Sequence, residues 1–262
     1  MDSKNPTPKD ELARKRKLLI AKKLNQISET NTKIKAQKHD RPVPLSFAQQ
    51  RMWFLDQLVP NSSLYNIFNI LHFPSQLNLT VLHKCLQEIV RRHESLRTIF
   101  KMIDGEPKQV ILPELFVPLP VIDVSKTVPN RRQNELRQII NAEARQPFQL
   151  TTGPLVRATL IKRNQQDYVF LLAMHHIITD DWSKNIYLQE LTPLYEAFSK
   201  GLPSTYTELL IQYPDFAVWQ RDWLRGAILD KQVTYWENKL KAYSTIQIPT
   251  SQHQSYIKTI VG

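Results

Sequence analysis

Apolar residues recur along this chain at two alternating periods, and the alternation predicts strands and helices in turn. Residues 10–27, DELARKRKLLIAKKLNQI, place Leu12, Leu19, Ile20, Leu24 and Ile27 on one helical stripe between lysines and arginines. The polar stretch SETNTKIKAQKHD follows and reads as a linker. At Arg41 the texture changes, with Pro42 and Pro44 opening a compact, aromatic-richer region. The domain boundary is placed there, so 1–40 is a basic helical extension with its linker and 41–262 is the folded body. Residues 67–73 (IFNILHF) read as a strand. Residues 78–93 carry Leu79, Leu82, Leu86, Ile89, Val90 and His93 at a 3.6 period, which predicts a helix packed on a sheet. Arg97 to Ile103 alternates as a strand with one wet face, and Asp104-Gly105 predicts a hairpin turn into KQVIL. A polar helix over 130–145 and strands over 154–162 and 167–174 come next. From Trp182 to Leu240 the pattern is helical, with Pro193 and Pro214 as breakers or helix starts. The order predicts an α/β protein, an α+β sandwich whose sheet is mixed and flanked by helices.

Composition narrows the class. The 262 residues are 42% hydrophobic with ordinary charge density, which fits a globular protein of one large or two small domains. No apolar run approaches the roughly 20 residues of a membrane-spanning helix, and the N-terminus is too polar for a secretory signal. Cys85 has no second cysteine to pair with, and its helical spacing makes it a buried small hydrophobe. These features favour the cytoplasm and argue against a membrane. The net charge is +11, and residues 1–40 supply +6 of it. No nucleic-acid-binding motif accompanies that charge, and aromatic residues do not interleave with the basic run, so it reads as a solvated or docking helix rather than a nucleic-acid surface.

The candidate chemistry lies in LLAMHHIITDDWS, Leu171 to Ser183. Tyr168 to Met174 is nearly all apolar, as in a strand buried on both faces. Side chains alternate along a strand, so His175 and His176 are expected to face opposite ways and to do different work. The chain then turns at Thr179-Asp180-Asp181 into a helix that Asp180 or Asp181 would cap. An imidazole with an ordinary pKa of about 6.5 can take a proton from a nucleophile near neutral pH. Three readings stay open from local chemistry: a catalytic corner suited to acyl transfer, a pair of satisfied core histidines, and a metal site. Opposed adjacent histidines cannot easily share one ion, and no further His/Cys cluster is evident, so no metal is assigned.

Four stretches occur in order: SFAQQRMWFLDQL (Ser46–Leu58), RHESLRTIF (Arg92–Phe100), MHHIITDDWS (Met174–Ser183) and YPDFAVWQR (Tyr213–Arg221). Together they resemble the first four core motifs of nonribosomal peptide synthetase condensation domains. The stretch QPFQLTTGPLVRATLIKR (Gln146–Arg163) also looks like that family. The resemblance implies a chloramphenicol acetyltransferase-like lobe that faces a second lobe across a tunnel. It also implies donor and acceptor carrier proteins as partners, each bearing a 4'-phosphopantetheine arm, with no cofactor bound directly. The amine of a carrier-bound aminoacyl group would attack a carrier-bound acyl or peptidyl thioester to form an amide. Carried over, His176 is the catalytic residue, either as base or as a group that positions the amine and stabilises the intermediate. His175 and Asp180 become supports of the corner. Arg92 and Arg97 of RHESLR are the candidates to pair with Asp180, Arg92 being favoured as its buried counter-ion. Ser46, Gln49 and Arg51 are expected to border the tunnel, with Asp181, Trp182 and Ser183 as further lining, while Met52, Trp53 and Leu55 fill the core. Phe216 and Trp219 are assigned to helix packing. The Trp182-Ser183 pair matches ordinary amide formation rather than heterocyclisation or epimerisation.

Two departures from the family qualify that expectation. Where the family usually has glycine after the motif aspartate, this chain has Asp181, which adds bulk and negative charge beside His176 and could obstruct the tunnel. The sequence also ends at Gly262, where the family would continue into a second lobe. The expected partner set therefore includes a complementary C-terminal lobe or a downstream synthetase chain. The leading expectation is the N-terminal lobe of an amide-forming condensation domain in nonribosomal or mixed polyketide–peptide biosynthesis. The alternative is a non-catalytic carrier-binding or degenerate fragment. A free-standing acyltransferase using coenzyme A shares the His-x-x-x-Asp spacing but not the other motifs.

Overall fold

The computed structural model describes residues 33–241 and 243, so the basic helix expected over 10–27 lies outside the described residues. Among those residues, seven strands form two sheets. In the smaller sheet, β1 (Val43–Pro44), β4 (Glu106–Ile111) and β3 (Thr98–Ile103) lie side by side, antiparallel, in the order β1-β4-β3. The turn between β3 and β4 is the expected Asp104-Gly105 pair, with φ of 52° and 77°. Positive φ at both positions twists the turn to match the strands, which is why an Asp-Gly pair serves there. The larger sheet has the order β2 (Asn66–Phe73), β7 (Asp167–His175), β6 (Val156–Asn164) and β5 (Val121–Asp123). Its first three strands are antiparallel, and β5 runs parallel to β6, so the sheet is mixed as expected.

Strand β7 is apolar from Tyr168 to Met174 because both of its faces are covered. Phe170 and Met174 belong to a core that includes Leu82, Leu86 and Ile89 of helix α2 (Leu79–Arg92). That core also takes Tyr187 and Leu194 from helix α4 (Asp181–Ser199). On the opposite face, Val169 and Leu171 pack with Ile161 and with Leu136 of helix α3 (Pro129–Arg145). Each of these side chains leaves water on folding, worth roughly 1.5–3 kcal/mol apiece when fully buried. Helix α1 (Phe47–Leu58) starts at a capping box in which Ser46 and Gln49 satisfy one another's backbone amides. Of its predicted core residues Trp53 is buried, while Met52 and Leu55 are half-buried.

The run from Trp182 to Leu240 is not one continuous helical stretch. Helix α4 ends at Ser199, residues 202–209 carry no regular structure, and helix α5 spans Tyr213–Trp223. Pro214 does sit at a helix start, but Pro193 lies inside α4 and does not break it. A proline has no N–H for the carbonyl four residues earlier. That carbonyl, on Gln189, accepts a hydrogen bond from the Tyr206 hydroxyl at 3.3 Å instead. The segment after α4 thus compensates for the proline within it. A second unit starts at Leu224, and within it helix α6 (Ala227–Leu240) has no buried residue. Among the described residues no helix is long and apolar enough to cross a membrane.

Helix α4 is pinned from beneath. Glu190 is buried and faces Arg92, at 3.2 and 3.4 Å, and His93 Nε2, at 2.9 Å. Burial opposes its charge, but the hydrogen bonds from His93 and Arg92 outweigh burial and hold its carboxyl below the usual range. Arg92 also donates to the Thr207 carbonyl at 2.7 Å and lies over the Tyr206 ring. Removing one partner of such a buried pair strands the other charge, at a cost of about 3–5 kcal/mol. Glu190→Ala is therefore expected to lower the urea unfolding free energy by about that amount, and Arg92→Ala added to it should cost far less than it does alone. Because the Glu190 pKa is lowered on folding, the stabilisation is complete above the ordinary carboxylate range and is lost as pH falls through the lowered value. Urea midpoints at pH 7 and near pH 3 check the sign.

Candidate functional site

Strand β7 ends at His175, and the chain turns at His176. The two histidines do take different surroundings, but because His176 has left the strand for the turn rather than through strand alternation. His175 is 2% exposed, between the rings of Tyr65 and Phe148. Its Nδ1 accepts a hydrogen bond from the Ile177 amide at 3.1 Å. Burial, with His176 as a smaller contribution, pushes its pKa down to about 4. His175 is therefore a neutral, internal brace for the turn.

His176 is exposed to solvent in a cavity of about 220 Å3. Its backbone amide donates to the Tyr65 carbonyl at 2.8 Å, and its Nδ1 lies 2.7 Å from the Thr179 carbonyl. A carbonyl only accepts, so Nδ1 carries the hydrogen and the lone pair of the neutral ring is on Nε2. The turn thus selects the tautomer. Gln49, Ser95, Asp180, Ser183 and Tyr213 supply the polar wall of the cavity, and Met52 and Ile177 part of its apolar wall.

Several expected residues are brought together here. Gln49 lines the cavity, and its amide nitrogen donates to Gln109 Oε1 at 3.0 Å and reaches the Ile177 carbonyl at 3.5 Å. Ser46 is fully buried behind it as the cap of α1, with its Oγ 2.9 Å from the Tyr213 hydroxyl. Ser183 lines the cavity and donates to Asp180 Oδ1 from both its amide, at 2.8 Å, and its hydroxyl, at 2.6 Å. Asp180 is the N-cap of α4. Burial raises its pKa, but the Ser183 hydrogen bonds, with help from His176 and the Trp182 amide, leave it lowered.

Other expectations are corrected. Neither arginine pairs with Asp180. Arg92 binds Glu190, ten residues further along α4 and so about 15 Å away along the helix axis. Arg97 instead contacts the Leu112 carbonyl and, at 3.3 Å, Glu94. The cap supplies Asp180 with helix amides, which satisfies its charge without a cation. Arg92 supports the corner only through the helix. Asp181 does not border the cavity: its side chain is 96% exposed, with Lys184 at 4.0 Å. It occupies the first turn of α4, outside the positive-φ region, so its backbone does not require glycine. Trp182 is 77% exposed and Arg51 faces solvent, so neither lines the cavity. Tyr213 and Ser95 do not stand out in the sequence, although both lie in the motifs quoted above. Their neighbours in those motifs carry the core pattern, and only the packing of α5 and of the 3₁₀ turn Glu94–Arg97 brings the two to one cavity. Among the described residues no cluster of three or more His, Cys, Asp or Glu is arranged to hold a metal ion.

A family profile described as "Condensation domain" matches residues 39–261. The linear gramicidin synthase of Brevibacillus parabrevis contains a polypeptide 47% identical over 224 residues, which is 85% of this chain and 3% of that polypeptide. Malpibaldin synthetase of Mortierella alpina is 38% identical over 240 residues, 91% of this chain and 4% of the synthetase. A solved complex of the X-domain and OxyB from teicoplanin biosynthesis matches with a TM-score of 0.74 at 24% identity, over 83% of this chain and 47% of that one. A variant of the starter condensation domain of rhizomide synthetase RzmA, in complex with C8-CoA and Leu-SNAC, matches with a TM-score of 0.70 at 22% identity. There the match covers 78% of this chain and 46% of the other. These likenesses show the chloramphenicol acetyltransferase-like fold that the motifs implied. The chain spans about half the length of the solved chains and a few per cent of the curated synthetases.

The buried His175 generates a pH test. Its folded pKa of about 4 lies below the ordinary value of 6.5, so the unfolded chain takes up a proton first as pH falls. Its contribution is complete above pH 6.5 and is lost between 6.5 and about 4, by an amount on the order of 3 kcal/mol. His175→Asn keeps an acceptor near the Ile177 amide but cannot titrate. Urea unfolding over that window should show a shallower pH slope for the variant than for the wild type.

Proposed function

The chain belongs to the condensation-domain family, and on that premise we propose that it is the His-bearing lobe of an amide-forming condensation domain in nonribosomal peptide synthesis. The donor is an acyl or peptidyl thioester and the acceptor an aminoacyl thioester, each carried on the 4'-phosphopantetheine arm of a carrier protein. The acceptor amine attacks the donor carbonyl, the C–N bond forms and the C–S bond breaks. His176 Nε2 takes the amine proton, which ends on the departing sulfur as a thiol. The observation that carries this reading is the tautomer: Nδ1 is committed to the Thr179 carbonyl, and the lone pair remains on an exposed nitrogen beside the cavity. General-base help of this kind is typically worth 10²–10⁴ in rate, or about 3–5 kcal/mol of barrier.

The cavity supports a second contributor. Sites for small molecules run to about 300–1,000 Å3, whereas this one is about 220 Å3 and opens to solvent. A complementary C-terminal lobe would complete it into a channel reached by both carriers. Asp181 does not favour a non-catalytic fragment, because a carboxylate that projects into solvent does not block the chemistry. The unpaired, buried Cys85 suits the cytoplasm, which we assign as its compartment.

Loaded donor and acceptor carriers, incubated with the chain alone and then with a second lobe, test the proposal by mass spectrometry of the amide. Product is expected only with the second lobe, and His176→Ala should cut its rate by about 10²–10⁴. Asp181→Gly should leave the rate unchanged while lowering stability by roughly 0.3–1 kcal/mol, chiefly through loss of a carboxylate at the positive end of α4. Amide formation undiminished in His176→Ala would remove the histidine from the mechanism. Carrier binding without product in the presence of the second lobe would favour the non-catalytic reading.

A further inference from the structure

His39 lies in the polar stretch that the sequence assigns to a linker, yet its imidazole is only 5% exposed. Its Nδ1 is 2.6 Å from Glu94 Oε2 and its Nε2 is 3.1 Å from Asp215 Oδ1. Both carboxylates are otherwise engaged. Asp215, itself 2% exposed, also accepts from the Gln37 and Gln212 amides, each at 2.8 Å. Gln212 in turn accepts from the Glu94 amide at 3.1 Å, and Glu94 accepts from Arg97 at 3.3 Å.

The two acidic partners do not line the His176 cavity themselves, but each sits on an element that supplies one of its walls. Glu94 opens the 3₁₀ turn whose next residue, Ser95, lines that cavity. Asp215 is in the first turn of α5, whose first residue, Tyr213, lines it from another side and meets Ser46, the cap of α1. One imidazole therefore ties the two elements together from behind. Without it, two partly or fully buried carboxylates would face a gap with less to hold them, and like charges at close range repel.

We propose that His39 is a positioning residue for the reaction at His176, setting the spacing between the Ser95 and Tyr213 walls and hence the place of the attacking amine relative to Nε2. This rests on the amide-forming reading above. A misplacement of about 1 Å in a reacting group is enough to cost roughly 10²-fold in rate. The residue acts at a distance and touches neither substrate nor the His176 ring.

Two measurements on the full chain test this. The first needs no turnover: NMR of chain labelled with ¹³C in its histidine and tyrosine rings. His39→Ala is expected to shift or broaden the His176 and Tyr213 signals and to leave that of His175 in place. His39→Gln, whose amide nitrogen offers two N–H donors to the two carboxylates, should restore them. His72→Ala removes a half-exposed hydrogen-bonded contact with Asp167 on the sheet, at 2.8 Å, and should move neither signal. The second measurement is single-turnover amide formation with loaded carriers and the second lobe, at a temperature where circular dichroism shows every variant folded. There His39→Ala should lower the maximal single-turnover rate by roughly 10–100-fold with the half-saturating carrier concentration little changed, and His39→Gln should recover most of it. Wild-type rates in folded His39→Ala, or unmoved His176 and Tyr213 signals, overturn the proposal even if the unfolding midpoint falls. A wild-type chain that makes no amide, while His39→Ala still moves the signals, overturns the functional reading and leaves His39 as a structural tie with no effect on a reaction.

Discussion

Glu190, held by Arg92 and His93 beneath helix α4, is the contact on which the geometry of the corner depends. Helix α4 carries the cap Asp180 and the lining residue Ser183 at its N-terminus, and a helix moves as a rod. The ion pair grips that rod roughly 15 Å from the cap, where displacement would be carried directly to the turn that holds His176. The same arginine lies over Tyr206, whose hydroxyl serves the carbonyl that Pro193 leaves free. One buried cation thereby joins the end of α2, the middle of α4 and the segment after it.

The turn at the end of β7 converts that rigidity into chemistry. A strand buried on both faces delivers its last residue, His175, into the interior, where burial keeps it neutral and its Nδ1 braces the next amide. The following residue leaves the strand and meets the Thr179 carbonyl, which selects the tautomer of His176. Adjacent residues of one type thus take opposite roles for a backbone reason. Asp180 is part of the same device, though not by the expected route. It finds helix amides and a serine hydroxyl, so no arginine is needed at the corner.

Behind the cavity, polar side chains hold its lining residues in place across long separations in sequence. Ser46 meets Tyr213, Gln49 meets Gln109, and His39 meets Glu94 and Asp215. Buried polar groups of this kind are stabilising only when each finds its partner, so the wall has little freedom to shift piecemeal. The apolar layers beneath can tolerate small changes in volume, whereas the network above them defines where the walls stand.

Much of the fold is legible in the sequence, because strand and helix periods are local. The apolar run of β7, the amphipathic stripe of α2 and the Asp-Gly turn each announce themselves within a dozen residues. The likeness of four ordered motifs marked His176 in the same way. What the sequence left undetermined has one physical cause: an ion pair or hydrogen bond between residues far apart in the chain leaves no periodic trace. Arg92 sits next to a conspicuous histidine motif, but its partner is Glu190, visible only once α2 and α4 are packed. Asp181 looked like an obstruction because chain order puts it beside Asp180, while the first turn of a helix points it to water. His39 looked like linker because its neighbours are polar, and only the packing of α5 against the 3₁₀ turn makes a buried site for it. Local pattern determined which elements form, and the ordered motifs singled out His176; tertiary packing decided which charges meet, since that depends on distances the linear chain does not contain.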